Sequence, residues 1–129
     1  MDRATVLQTI DAAYAARQRG DIAEVLSFLS PGATFRMAGV SPGPEDAAAS
    51  IAQLIDQFHF AEFERLDAVI DGDRVAVHAR VKTATGGGRY LESELLDLWR
   101  FGPDGKVTEI VEFADTGLIA TMLATAPDY

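Results

Sequence analysis

The chain contains no cysteine. That absence excludes disulfide scaffolds, thiolate zinc sites and cysteine nucleophiles, and it permits a reducing compartment without requiring one. Positive charge is also scarce: 11 Lys and Arg face 20 Asp and Glu, for a formal net charge of −9. Neutralising phosphates needs clustered basic side chains, and here they form no run, so neither nucleic acid nor a membrane is expected as a partner. No apolar stretch reaches the length of a bilayer span. The start, MDRATVLQTIDAAY, carries Asp2 and Arg3 and lacks the apolar core of a secretion signal. A soluble, cytoplasmic protein is the expectation. Histidine occurs only at His59 and His78, with no ligand spacing between them, so no metal is expected. P-loop, dinucleotide fingerprint and nucleophile elbow are missing too, and no cofactor is expected.

What is present suits one domain. The 129 residues are 48% hydrophobic, enough for a real core without staples. Val6, Ile10, Ala13, Tyr14 and Arg17 recur at helical spacing and predict a first helix ending near Gly20. Asp21 with Glu24 reads as a capping box opening a short second helix, with Ile22, Val25, Leu26 and Leu29 inward and Pro31-Gly32 as its stop. Residues 33–38 read as a short strand, and a third helix from near Glu45 presents Ala48, Ile51, Leu54, Ile55 and Phe58. From Phe60 the period becomes two, giving strands near 60–70, 73–84, 89–101 and 106–114, with turns at Asp71-Gly72 and Gly86–Gly88. Helices first and an antiparallel sheet afterwards is an α+β pattern. A strongly curved sheet on three N-terminal helices, with a short helix at the C-terminal end, makes a cone open at one end.

The last third carries the chemistry. Gly102-Pro103-Asp104-Gly105 is a turn sequence between two strands. If Phe101 and Lys106 close it, Asp97 faces Ile110 and Glu112 faces Leu95. The two acids then share a face as diagonal neighbours, roughly 7–8 Å apart, among Leu91, Leu95, Trp99 and Ile110. Acids in an apolar patch are either neutralised by partners or tuned for chemistry. Asp97 reads equally as a structural acid satisfying Tyr14 and as a functional one. Glu112 favours a pocket role, and Asp115 reads as the cap of a final helix. His59 reads as a rim residue.

His78, Arg80 and Lys82 share one face of their strand, and the glycine turn decides which. A two-residue turn aims them at Leu95 and Asp97, inside the cone. A three-residue turn sets them against Glu92 and Glu94, as ion pairs outside. Leu96 and Leu98 lie on the outward face beside Tyr90 and Phe113 or Val111, an apolar patch that predicts a homodimer.

These features together resemble the SnoaL-like branch of the nuclear transport factor 2 superfamily. The resemblance rests on Tyr14 six residues before Gly20-Asp21, the Ala33–Met37 strand, and the run D-x-W-R-F, D-G-K-V and E-F-x-D from Asp97 to Asp115. It covers nearly the whole chain and implies the cone fold. Ketosteroid isomerases of that superfamily carry an acid matched by Asp97, but their general base falls at Met37 and their oxyanion tyrosine at Ala13. Limonene epoxide hydrolases carry an acid matched by Glu112, but their R-x-D strand corresponds to Arg80-Val81-Lys82 and their water-holding pair to Phe35 and Met37. In SnoaL-type polyketide cyclases a single acid on the last strand, matched by Glu112, does the acid/base work.

The resemblance implies catalytic Asp97 and Glu112 in a pocket walled by Tyr14, Phe35, Met37, His78, Arg80, Trp99 and Ile110. Such a pocket suits a small apolar carbonyl or cyclic compound and isomerase, cyclase, dehydratase or hydrolase chemistry. The alternative is a non-catalytic ligand-binding or dimerisation module, its cone plugged by Phe and Met side chains.

Overall fold

The helical stripe of Val6, Ile10, Ala13 and Tyr14 is buried in helix α1 (Arg3–Arg19). Asp2 caps its start by accepting the Thr5 N–H at 2.8 Å, and Gly20 ends it in the left-handed region at φ 75°, a conformation that costs glycine least. The computed structural model of the protein describes residues 2–39, 45–84, 88, 90–115, 117, 118 and 120. Asp21 opens α2 (Ile22–Ser27) by accepting the Glu24 N–H at 3.1 Å. Strand β1 (Leu29–Met37) and the short β2 (Glu45–Asp46) precede α3 (Ala47–Gln57), and four strands complete the order: β3 (His59–Asp71), β4 (Arg74–Ala84), β5 (Tyr90–Phe101) and β6 (Val107–Phe113).

Two boundaries differ from the expectation. Pro31-Gly32 does not end α2, which stops at Ser27; both residues lie inside β1, in the interruption of its pairing with β6 between Leu29 and Thr34. A proline has no N–H to give the ladder, so an irregular stretch tolerates it. Helix α3 begins after Asp46, which caps it by accepting the Ala49 N–H at 3.1 Å. Ala47 is therefore the buried alanine, and Ala48 faces out. The expected C-terminal helix lies largely outside the described residues, although Asp115 Oδ1 accepts the Leu118 N–H at 2.9 Å, as its capping role requires.

The sheet runs β2-β1-β6-β5-β4-β3, antiparallel except for the parallel β1–β6 pairing. It is a curved, unclosed α+β cone. The parallel neighbour places β6 near the middle of the sheet, so Glu112 has Met37 on one side and Asp97 on the other. The Ala38 N–H donates to the Glu112 carbonyl at 2.9 Å and pins that end of β1 to the site.

Helix α1 closes the concave side against β3. Arg65 forks onto Asp11, with Nε and Nη2 at 2.8 and 3.1 Å from its two carboxylate oxygens. Gln18 donates to the Ala61 carbonyl at 3.1 Å, where β3 shifts register between Phe60 and Glu62. Tyr14 stacks on Phe63 with ring centroids 4.1 Å apart and meets Trp99 edge-on at 5.5 Å. These aromatics fill the depth of the cone. Among the described residues, no helix is long and apolar enough to cross a membrane.

Candidate functional site

Asp97 and Glu112 are not diagonal neighbours. They form a direct cross-strand pair. The β5–β6 ladder shifts between Arg100 and Phe101, so that Phe101 pairs with Val107 but Arg100 pairs with Glu109. The extra residue is Thr108, whose hydroxyl donates to the Arg100 carbonyl at 3.2 Å. Bulge and turn together slide β6 by two places from the simplest closure. An even slide preserves the face and changes the neighbour. Both acids still point inward, each only 2% exposed, and directly paired side chains come closer than diagonal ones.

Arg17, three residues after Tyr14 on α1, supplies the cation. Its Nη1 donates to Glu112 Oε1 at 3.2 Å, and its guanidinium lies 3.8 Å from the Phe60 ring centroid. No site role for Arg17 was expected from the sequence. Its signal was a charged residue continuing the apolar row of α1. On the far side of the pair, Tyr14 donates its hydroxyl to Asp97 Oδ2, and Trp99 Nε1 donates to the Tyr14 oxygen at 3.2 Å.

Burial raises the Asp97 carboxyl well above its ordinary value, and the neighbouring Glu112 charge adds to the rise. The Tyr14 hydrogen bond and the Arg17 charge oppose it without cancelling it. Tyr14 is likewise pushed well above an ordinary phenol, first by burial and then by Asp97. Arg17 is one cation beside two buried carboxyls, and it compensates only one negative charge.

A cavity of about 50 Å³ opens beside this cluster, at the mouth of the cone. Met37, Leu54, Phe58, Phe60, Val81 and Leu95 supply apolar wall, and Arg17, Thr83, Ser93, Glu112 and Asp115 supply polar groups. Of the residues expected to line a pocket, Glu112 and Met37 do so. Asp97, Tyr14 and Trp99 lie behind Glu112, buried among the cone's aromatics, and Phe35 and Ile110 pair with each other in the core. Asp97 is therefore a partner of the pocket acid rather than a pocket wall.

His78 and Arg80 are corrected. Ala84 pairs with Tyr90, which leaves an odd number of residues between β4 and β5. His78 then stands opposite Leu96, Arg80 opposite Glu94 and Lys82 opposite Glu92, all on the outer face. His78 Nε2 lies 2.6 Å from Glu94, and Arg80 reaches Glu64 at 3.3 Å. Neither lines the cavity. No cluster of three His, Asp or Glu suited to a metal occurs among the described residues.

Comparison with known proteins agrees with this fold. A putative SnoaL-like polyketide cyclase from a Jannaschia species superposes with a TM-score of 0.79 at 21% identity, covering 98% of this chain and 99% of that one. An LEH-like epoxide hydrolase from M. tuberculosis gives 0.74 at 16% identity over 95% and 92% of the two chains. A de novo designed protein with a curved β-sheet gives 0.73 at 15% identity over 96% of each. Likeness at such identities is likeness of fold. No relative with a curated description matches the chain in sequence. The family described as SnoaL-like domain matches residues 10–110, most of the chain, and the protein belongs to that family.

Proposed function

We propose that the protein takes a small, largely apolar carbonyl or cyclic compound at the mouth of its cone and that Glu112 exchanges a proton with it. One observation carries this reading. Glu112 is a carboxylate 2% exposed that nevertheless borders a cavity, in a wall otherwise dominated by Met37, Phe58, Phe60 and Leu95. A carboxylate held in apolar surroundings by a single cation is poised for general acid/base work, because small changes around it alter its proton affinity. The SnoaL-like cyclase and epoxide hydrolase neighbours are consistent with such chemistry.

A second reading, a ligand-binding or dimerisation module without catalysis, has its own observation. Tyr14, Phe63, Trp99 and Phe101 pack against one another in the depth of the cone, and the cavity that Glu112 borders is, among the described residues, about 50 Å³, well under the ~300 Å³ of the smaller drug-sized sites. A panel of apolar ketones, enols and epoxides, screened by thermal shift and followed for turnover, separates the two. Turnover abolished by Glu112→Gln supports catalysis. Binding without turnover supports the module. No binding by any member overturns the proposed ligand class.

A further inference from the structure

Trp99, Tyr14, Asp97 and Glu112 form a chain whose hydrogens can be placed one by one. An indole N–H only donates, so the Trp99 bond makes the Tyr14 oxygen an acceptor. Tyr14 has one proton of its own, and it goes to Asp97 Oδ2. A proton on Oδ2 would displace it and leave the phenol hydrogen without an acceptor in a side chain only 3% exposed. Oδ2 is therefore an acceptor. Asp97 Oδ1, by contrast, is fully buried and has no hydrogen-bond partner among the described residues. A proton on Oδ1 supplies the missing hydrogen bond, with the Glu112 carboxyl, paired directly with Asp97 across the β5–β6 ladder, as its acceptor.

We infer that Asp97 and Glu112 share a single proton, seated on Asp97 Oδ1 and donated to Glu112, so that Asp97 is a positioning residue that keeps the negative charge on the pocket acid. Glu112 then accepts from Asp97 on one side and from Arg17 on the other, which fixes its carboxylate at the cavity. Among the described residues, Val77 faces Asp97 from β4, and Phe63 of β3 stacks on its Tyr14 partner, neither bringing a charge. Tyr14 and Arg17 of α1 and Glu112 of β6 are the titratable and charged groups acting on it. The raised affinity of Asp97 for its proton agrees with this placement.

The inference deepens the proposed function and rests on Glu112 as its proton-exchanging group, but its test needs no ligand. A failed ligand screen and a failed proton assignment are therefore distinguishable. Carbon-13 NMR of the side-chain carboxyls, recorded across pH on the unliganded protein, reads each acid separately. The expected result is an Asp97 that is still protonated at neutral pH. Glu112→Gln removes the repulsion and leaves Arg17 without its anion, so the Asp97 midpoint falls at least tenfold in proton affinity. Tyr14→Phe removes the donor to Oδ2, and the Asp97 midpoint rises. An ionised Asp97 at neutral pH in the unaltered protein overturns the inference without any variant having to fold. So does an Asp97 titration that is the same with Gln at position 112.

Discussion

Trp99 donates to the Tyr14 oxygen at 3.2 Å, and this one bond gives direction to the buried network. It commits the phenol proton to Asp97, and through Asp97 it orients the acid that meets the cavity. A tryptophan so placed works as a fixed dipole at the base of the cone. Its contribution to the site comes through two intermediaries and not through contact with a ligand.

Asp97→Asn should fold and should flatten the pH dependence of stability. The Asp97 carboxyl is raised from 3.8 in the folded protein, so above that value the folded state holds a proton the unfolded state has lost. Stability therefore falls as pH rises from the ordinary carboxyl value toward the elevated one, by up to about 1.4 kcal/mol per pH unit for one proton. An amide offers the same donor and acceptor without titrating. Urea unfolding of both proteins at several pH values between about 5 and 8 measures the difference in slope. Equal slopes would refute the assignment.

Arg17→Met should cost about 3 kcal/mol at neutral pH, the usual penalty for leaving a buried charge unpaired. The side chain keeps most of its apolar stem against Phe60, so lost packing contributes little. Acidification should restore part of the loss, because protonating a carboxyl of the pair removes the unpaired charge. Denaturant titrations at acidic and neutral pH check both halves.

Leu95→Ala should destabilise by about 2–5 kcal/mol. Leu95 is 6% exposed, lines the cavity and pairs with Ala79 of β4. The same substitution enlarges the cavity, so ligands too bulky for the parent should bind the variant if it remains folded. Thermal melts with and without members of the ketone panel report both effects.

The outer face should join two copies of the chain. Leu96 stands opposite Phe113, and both are exposed, with Leu98 at 40% two residues along the same face. Val111 is buried and adds nothing to this patch. Sedimentation at tens of micromolar is expected to show a dimer, and Leu98→Lys a monomer, since a buried unpaired ammonium opposes association. A monomeric parent would rule this out.

Much of the architecture was legible because it depends on period and parity. The α1 stripe, the Gly20 stop, the Gly102–Gly105 turn and the inward direction of Asp97 and Glu112 all follow from counting residues. Register was not legible. The bulge at Thr108 leaves no compositional mark, so residue counting alone makes the two acids diagonal neighbours, whereas the ladder pairs them directly. The β4–β5 connection had the same weakness: both parities fit the glycine run, and His78 and Arg80 changed faces with the choice. Arg17 was hidden for another reason. A cation in an apolar row reads as the edge of the stripe, and only the strand packed against it reveals a buried carboxylate to pair with.

Strand β3 ends the sheet, and its two register shifts, between Phe60 and Glu62 and between Arg65 and Asp67, bear on colloidal behaviour. A thirteen-residue edge with a straight ladder of unpaired amides would invite strand addition from a neighbouring molecule. Here the shifts break the edge into short stretches, and Glu62, Glu64, Arg65 and Asp67 set charge along it. With a net charge of −9 behind that edge, strand-to-strand growth is opposed locally by geometry and at longer range by repulsion. Aggregation of the folded protein through β3 is thereby disfavoured, even though that strand carries Phe60 and Phe63 for the core.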